Sequence, residues 1–460
     1  MFRRVAIIGG GAAGASLLSE LLSRRTGQPL HLDWYTGGDA APGRGVAYAT
    51  RSERHLLNVR AASMGMFAHR PNGFLEYARR GDPAIAATDF LPRRLYGDYL
   101  EAETAGALAQ AGAHGHDVHM LPFAVQAVVP EADGVTVFHG DSETRVEAVV
   151  LALGTLPPQP LPGVAEATLA DGRYVVEPWR FLAGAVDDAA PREVAVLGLG
   201  LTAVDVLLEL AARWPQARFT AVSRHGRLPE AHNEQPAVPP EDADTLPTAM
   251  LDAPSVRIWL RQLREACAPL DDWRAVLDSL RPHTPALWAA LPDEERARFL
   301  RHLRWAWERT RHRMPPAAAD GIRALEREGR LRLLRGRLRT ATADAGGLRL
   351  ELAHAGRALP PLHADLAIQT TGMDFDVRRT PHPLVRQLLT NGHIESDPLG
   401  LGWRADADGR LLHDGRPWSR LFAIGGLLRG TLWETTAMPE IRQQARQLAD
   451  RMLGEGGRTA

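Results

Sequence analysis

Two glycine-rich turns, each placed between a short apolar strand and a helical pattern, constrain the fold of this chain more than any other feature. The segment Gly9–Gly14 (GGGAAG) follows the apolar run Val5–Ile8, and Gly198–Ala203 (GLGLTA) follows Val194–Leu197, about 190 residues later. Glycines at such a turn allow a tight reversal and let the backbone approach a pyrophosphate at the helix N-terminus. The repeat therefore predicts two βαβ units and two dinucleotide sites in one protein.

Length and composition exclude several other classes of protein. A chain of 460 residues has room for two or three domains, and its net charge of −1 argues against nucleic-acid or membrane-surface partners. No stretch approaches the roughly 20 apolar residues of a membrane span, so a cytoplasmic location is expected. The single cysteine, Cys267, excludes an internal disulfide and a CxxC pair. The chain has no lysine, which excludes Schiff-base chemistry and a P-loop, and no metal-site motif is present.

The order of the patterns predicts an α/β fold with two Rossmann-like domains, the second inserted in the first. A proline-rich stretch, 157–162, ends the first unit. The segment Leu366–Gly372 mirrors the strand that ends at Gly154, and a last strand ends at Gly425 and Gly426 before a C-terminal helix. A long helical region is predicted at about 250–330, before the strand-like sequence that includes Leu366–Gly372. We therefore expect the C-terminal strand and helix to complete the first domain, which makes the second domain an insertion within it.

The first glycine turn lacks its usual acidic partner. That residue normally lies about 20 positions on, at the end of the second strand, and holds the ribose hydroxyls. Thr36 stands near this position, Asp33 comes too early and Asp39 lies in the following loop. Either Asp39 or Thr36 binds the ribose, or the site tolerates the loss of the acid.

The second glycine turn has a basic partner instead. Gly198, Gly200, Thr202 and Ala203 form the turn, and the next strand ends in Ser223 and Arg224, with Arg227 three residues later. A ribose that carries a 2′-phosphate needs cations and hydroxyls where NAD would need a carboxylate. The second site is therefore expected to prefer NADPH.

Further motifs resemble the FAD/NAD(P)-binding family of bacterial flavoproteins, which is related to class B flavin monooxygenases and N-hydroxylases. The matching segments cover nearly the whole chain: Gly43–Tyr48, His55–Val59 with Met64 and Phe67, Pro92–Leu100, Gly198–Asp205, Ser223–Pro229, Arg311–Pro316 and Gly425–Arg442. The departure from the family is Thr36, where relatives commonly have an acid.

The resemblance implies roles for particular residues and a division of the chain. Gly9, Gly11 and Gly14 would hold the FAD pyrophosphate, and the segment from Arg44 to Asn58 would run along the ribityl chain and the isoalloxazine. The remaining cofactor-binding residues would be Gly154, Gly425, Gly426 and Glu434, with Trp433 and Glu434 near the ring or the substrate. The FAD-binding domain would comprise 1–160 and 341–460. The NADPH-binding domain would comprise 161–340, with a helical insertion at about 235–330.

The reaction that the resemblance implies is a monooxygenation. NADPH would reduce FAD, a flavin C4a-hydroperoxide would form with O2, and a small-molecule substrate, in particular an amine or amino-acid nitrogen, would be hydroxylated. Two alternatives stay open: an NADPH-dependent flavin reductase or oxidase without oxygen insertion, and a flavin-binding regulatory protein. Homo-oligomerisation also stays open.

A basic helical segment at 296–313 is the candidate for substrate binding. Its charges are predicted to form a solvated face, partly paired with glutamates of the same segment. The alternative is that Arg311 or Arg313 points into the cleft between the domains and binds a carboxylate substrate or the NADPH phosphates.

Overall fold

Two mainly parallel β-sheets form the centre of the computed structural model, which describes residues 2–38, 42–184 and 190–454. The strands are β1 (Arg4–Ile8), β2 (His31–Tyr35), β3 (Asp117–Leu121), β4 (Val125–Pro130), β5 (Val135–His139), β6 (Ser142–Val146), β7 (Ala148–Leu151), β8 (Tyr174–Val175), β9 (Glu193–Leu197), β10 (Arg218–Ser223), β11 (Leu331–Arg335), β12 (Arg337–Asp344), β13 (Gly347–His354), β14 (Arg357–Ala358), β15 (Leu362–Ala364), β16 (Leu366–Gln369), β17 (Arg410–His413) and β18 (Arg416–Ala423).

Helices cover both sheets and fill the region between β10 and β11. They are α1 (Ala12–Leu22), α2 (Gly45–Tyr48), α3 (Gly73–Arg79), α4 (Arg93–Ala111), α5 (Glu166–Ala170), α6 (Pro178–Ala183), α7 (Leu201–Arg213), α8 (Thr245–Asp252), α9 (Val256–Cys267), α10 (Arg274–Ser279), α11 (Thr284–Ala290), α12 (Asp293–His302), α13 (Arg304–Arg311), α14 (Pro316–Arg327), α15 (Pro383–Thr390), α16 (Arg429–Leu432) and α17 (Met438–Leu453). None of the helices in the described ranges is long and apolar enough to cross a membrane.

The first sheet has the strand order β17-β18-β7-β1-β2-β3, and only β17 is antiparallel to its neighbour. Its central strand β1 is apolar because both of its faces are covered, as parallel sheets require. Helix α1 packs against this sheet together with α4 and α17. The C-terminal strand and helix therefore complete the sheet that the N-terminal segment begins.

The second sheet has the order β11-β10-β9-β16-β8 and is parallel throughout. All of its strands lie between β7 and β17 in the sequence, so the predicted α/β fold with one Rossmann-like unit inserted in another is confirmed. Strand β16 pairs with β9 at the centre of this sheet, so the second unit extends past residue 340, where the closing part of the first had been expected to begin. Each sheet also carries an antiparallel layer, β4–β6 on the first and β12–β15 on the second.

The basic helical segment predicted at 296–313 is two helices. Helix α12 ends at His302 and α13 begins at Arg304, with a change of direction at Leu303. The break turns Phe299, Leu303 and Trp307 toward one apolar core shared with Trp288. This core is fastened to the C-terminal segment, because Trp288 Nε1 donates a hydrogen bond to the Gly430 carbonyl at 2.8 Å.

Candidate functional site

The first glycine turn forms a tightly packed corner between β1, β7 and α1. Gly9 has a φ of +128°, and a Cβ placed on it would lie 2.2 Å from the Ala152 carbonyl oxygen. A Cβ on Gly14 would lie 2.1 Å from the Gly9 carbonyl oxygen, whereas one on Gly11 would make only ordinary contact with Gly45. Gly9 and Gly14 are therefore required by the packing. As in any α-helix, the first amide groups of α1 have no partners within the helix and are available to a ligand.

The second turn repeats this geometry. Gly198 has a φ of +124°, and its Cβ would lie 2.5 Å from the Thr370 carbonyl oxygen, the counterpart of Ala152 in the first unit. Gly200 precedes α7, and a Cβ there would meet nothing within 4 Å. Thr202 faces the same open space, while Ala203 is buried in the core behind it. The two turns are thus alike in backbone and differ in what surrounds them.

The ribose position of the first turn lies at the end of β2. Both oxygens of the Asp33 carboxylate contact side chains of the sheet: Oδ1 lies 3.1 Å from the His119 ring and Oδ2 lies 3.4 Å from Arg4. Thr36 lies against Gly10, with its own carbonyl oxygen 2.8 Å from the Cβ that Gly10 lacks. Asp39, the other candidate, lies outside the described residues. Thr36 therefore remains the described residue at the position of the missing acid.

Arg44, predicted to lie along the FAD, is engaged with α4. Its Nε donates to Glu101 Oε1 at 2.7 Å, and its guanidinium also pairs with Asp98. These carboxylates raise the pKa of Arg44, against the effect of burial. The Gly43 amide donates to the Gly10 carbonyl at 2.8 Å. In this arrangement Arg44 fixes the start of α2 against the first glycine turn.

Three distant segments meet beside the N-terminus of α1. A Cβ on Gly425 would lie 3.3 Å from Ala13, and one on Gly426 would lie 2.9 Å from the Gly154 carbonyl oxygen. Gly154 itself has a φ of +69° and faces open space. Gly154, Gly425 and Gly426 therefore lie together beside the first turn.

Asn58 is connected to the segment that follows β10. Its carbonyl oxygen lies 3.2 Å from His232 Nε2. Burial, followed by the charge of Arg313, lowers the pKa of His232 to about 3, so the ring is neutral at pH 7. Asn58 is thus connected to the segment between β10 and α8, which leads into the helical region.

A cleft of about 690 Å³ opens at the second glycine turn. We call it the basic cleft because of the charged residues that line it: Arg224, His225, Arg227, Arg304, Glu308, Arg309, His312, Arg337, Arg339 and Arg429. Ser223 also lines it and accepts a hydrogen bond from the Gly226 amide at 3.0 Å. The ring of His225 is stacked on Trp305, with the centroids 4.0 Å apart.

The arginines of the basic cleft differ in whether they have a carboxylate partner; Arg309 pairs with Glu230. Arg304 and Arg429 bind Glu308 at 3.0 and 2.8 Å. Burial would raise the pKa of Glu308, but Arg304 and Arg429 lower it, so it remains ionised. The remaining arginines have no carboxylate partner within the described ranges: Arg224, Arg227, Arg337 and Arg339. Burial, followed by Arg337 and Arg304, lowers the pKa of Arg224, as crowded cations do. The cleft therefore has an excess of positive charge suited to phosphate groups.

Arg337 and Arg339 were not among the residues that the sequence predicts for this site. Both follow the short turn at Gly336, whose amide donates to the Ser223 carbonyl at 2.8 Å. Both line the cleft, and Arg339 lies at a register shift of β12 between Leu338 and Thr340. The sequence does not predict this position because it depends on the pairing of β11 with β10, which brings the start of β12 to the cleft.

Arg311 and Arg313, the residues predicted to bind substrate or the NADPH phosphates, do not line the basic cleft. Arg313 is 2% exposed and pairs with Asp278, while Arg311 NH2 donates to Glu434 Oε2 at 3.0 Å. The reason is the break at Leu303 and the end of α13 at Arg311, which present Arg304 and Arg309 to the cleft instead.

Trp433 adopts a strained turn next to Glu434. Its φ and ψ are 62° and −62°, and the Glu434 amide donates to the Leu432 carbonyl at 2.8 Å across it. This is a γ-turn with positive φ, which is rare for a bulky residue and costs on the order of 1–3 kcal/mol. Trp433 is buried, stacked on Trp288 with centroids 4.7 Å apart. Strain of this kind is typical of functional sites.

The two units are joined by a buried ion pair with an unusual titration. Asp205 of α7 lies 3.3 Å from Arg93 of α4. Burial raises the pKa of Asp205 to about 6, although Arg93 lowers it. Because this value exceeds the value of about 4 in an unfolded chain, the contribution of Asp205 to stability is full below pH 4 and is lost as the pH rises through 6.

We therefore expect Asp205→Asn to alter the pH dependence of stability. The free energy of unfolding of the variant, relative to the wild type, should rise by about 2–3 kcal/mol between pH 4 and pH 8. Urea unfolding at both pH values measures this, with Asp252→Asn at an exposed position as the control. A difference that does not change with pH would contradict the role assigned to Asp205.

Comparisons with known proteins agree with this architecture. Residues 6–156 match the family model described as FAD-NAD(P)-binding. No curated protein sequence matches the chain. Solved structures do: an L-lysine 6-monooxygenase from Pseudomonas syringae is 18% identical with a TM-score of 0.67, over 99% of this chain and 100% of the other.

Two further solved structures have the same fold. An ornithine N-hydroxylase from Kutzneria sp. 744 is 17% identical with a TM-score of 0.63, over 99% of both chains. A cadaverine monooxygenase from Erwinia amylovora is 14% identical with a TM-score of 0.66, over 99% of this chain and 95% of the other. The protein thus shares the overall α/β fold of these three solved structures. Its residues 6–156, which include the first glycine turn, are similar to the FAD-NAD(P)-binding family model.

Proposed function

We propose that the protein is an FAD- and NADPH-dependent monooxygenase that hydroxylates a nitrogen of a small-molecule amine or amino acid. The observation that carries the proposal is the pair of glycine turns with the same backbone geometry and different surroundings. The first turn packs against Gly45 and the Gly425 region, whereas the second opens into the basic cleft. A turn in contact with several other segments suits a resident flavin, and an open basic cleft suits a nicotinamide that binds and leaves.

The first turn fits FAD. Gly9 and Gly14 hold β1 and α1 close together, and Gly11 presents the start of α1 to the pyrophosphate. Thr36 would contact the ribose, and the segment that ends at Asn58 would lie along the rest of the cofactor. Arg44 supports this segment through α4. Bound FAD supplies the two-electron link between NADPH and O2.

The basic cleft fits NADPH. Gly198, Gly200 and Thr202 form a phosphate cradle that a larger residue at Gly200 would fill. Arg224 and Arg227, with Ser223, stand where a 2′-phosphate would lie, and Arg337 and Arg339 add to the same positive field. Because these four arginines have no carboxylate partner in the described ranges, the cleft favours an anionic ligand over a neutral one.

Nitrogen as the site of hydroxylation rests on the structural relatives. The names of the three solved structures describe them as acting on lysine, ornithine and cadaverine, all of which carry primary amines. The helical region that packs on Gly430 and Trp433 forms an apolar core next to Glu434. An apolar surface there would limit the access of water to a bound substrate.

The experiment is a staged test of the purified protein. We expect bound FAD, bleaching of its absorbance by NADPH without air, and, after O2 and an amine are admitted, a hydroxylamine product. Reduction by NADPH with release of hydrogen peroxide for every amine and amino acid offered would favour a reductase or oxidase. Bound FAD that NADPH does not reduce would favour a regulatory flavin-binding protein, and a protein that binds no FAD would exclude all three.

A further inference from the structure

The ion pair between Arg311 and Glu434 is buried but incomplete. Their side chains are 10% and 9% exposed, and Arg311 NH2 bonds Glu434 Oε2 at 3.0 Å. The second oxygen, Glu434 Oε1, is buried and has no hydrogen-bond donor in the part of the chain that the structure describes, and Arg311 Nε has no acceptor there. A buried carboxylate oxygen without a donor is strongly unfavourable, so a water molecule or a ligand must supply the missing hydrogen bond.

A neighbouring pair shows that the fold can complete such an interaction. Glu440 lies six residues further along, at the start of α17, and binds Arg281 through both oxygens, at 2.6 and 2.9 Å. Its side chain is 15% exposed, close to that of Glu434. The free oxygen of Glu434 is therefore a local feature of this residue and not a general result of burying glutamates here.

The backbone holds Glu434 at this position at a cost. Glu434 directly follows the strained turn at Trp433. On its other side, the Thr435 hydroxyl lies 3.4 Å from the Gly426 carbonyl, which places the segment beside Gly154 and the first glycine turn. Strain and an unpaired acceptor thus coincide in two adjacent residues next to the proposed flavin site.

The surroundings indicate which ligand would fit. Arg311 contributes to the low pKa of His232, and His232 contacts the Asn58 carbonyl, so Glu434 is on the side of the molecule where the flavin segment and the helical region meet. A group that donates hydrogen bonds and carries positive charge would complete the Oε1 side of the carboxylate. Primary ammonium groups have both properties.

We propose that Glu434 binds the primary ammonium group of the substrate through Oε1, while Arg311 holds the carboxylate in place through Oε2. Glu434 is then the residue that selects amines over alcohols, and Arg311 is its positioning residue. This inference deepens the proposed function, because it names the substrate group that the site recognises. The ammonium group held by Glu434 is protonated and does not react; the nitrogen to be hydroxylated would be the second amine of the same substrate, in its neutral form.

The test measures amine binding to the FAD-loaded protein without NADPH, so that it does not depend on turnover. The probes are 1,5-diaminopentane and lysine, with 1,5-pentanediol as the uncharged analogue, followed by equilibrium dialysis. We expect both amines to bind the wild type and the diol not to bind. Glu434→Gln should weaken both amines by about tenfold or more, with FAD content unchanged.

Glu440→Gln is the matched control, because it removes a charge from a complete buried pair on the same segment. We expect it to lower stability and to leave amine affinity within about twofold, since both oxygens of Glu440 bind Arg281. Equal amine affinity in wild type and Glu434→Gln, or no amine binding to the wild type, would overturn the inference, and so would loss of FAD from Glu434→Gln. Failure of NADPH to reduce the flavin would refute the proposed function alone.

Discussion

Replacing Gly14 with alanine is expected to destabilise the protein by about 3 kcal/mol or more and to abolish FAD binding. The added Cβ would lie 2.1 Å from the Gly9 carbonyl oxygen, which is rigid backbone. That oxygen also accepts a hydrogen bond from Trp34 Nε1 of β2 at 3.0 Å, so it cannot turn away from the added Cβ without breaking this bond. Chemical unfolding and the flavin absorbance of the purified variant measure the two effects.

Gly106→Ala is the matched control for this substitution. Gly106 lies within α4, and a Cβ there would meet nothing within 4 Å. The control should leave FAD content unchanged and increase stability by about 0.5–1 kcal/mol, because alanine favours the helix. If Gly14→Ala were as stable and as yellow as Gly106→Ala, the packing argument for the first glycine turn would fail.

The β-strand and helix patterns around the two turns could be predicted because their causes are local. The apolar runs before Gly9 and Gly198 are buried parallel strands, and the glycines are fixed by contacts within each βαβ unit. The similarity between the segments ending at Gly154 and Gly372 also indicated a repeat, and it appears as the equivalent positions of Ala152 and Thr370.

The charged residues were predicted less well because their partners are distant in sequence. Arg311 and Glu434 are separated by 123 positions. Arg313 follows α13 and pairs with Asp278 of α10, which lies 35 positions earlier. From the sequence, these arginines could not be distinguished from Arg304 and Arg309, which do line the cleft. The break between α12 and α13 at Leu303 determines which arginines face the cleft, and it depends on packing against Trp288 and Trp433.

Replacing Arg224 with glutamine is expected to raise the KM for NADPH by about tenfold or more and to change the KM for NADH little. Arg224 lines the basic cleft at the end of β10 and has no carboxylate partner within the described ranges. A 2′-phosphate offers this guanidinium a charge-assisted hydrogen bond that NADH cannot offer. Arg337→Gln should also raise the KM for NADPH, since Arg337 is close enough to lower the pKa of Arg224.

Selectivity between the two coenzymes is the measurement that separates this role from general damage. The ratio of kcat/KM for NADPH to that for NADH should fall by about tenfold in Arg224→Gln and further in the double variant. The exposed Arg332→Gln, on β11 but outside the cleft, should leave the ratio unchanged. Because the contact is electrostatic, added salt should also reduce the wild-type preference for NADPH. An equal loss for both coenzymes would show that Arg224 supports the shape of the cleft and does not read the phosphate.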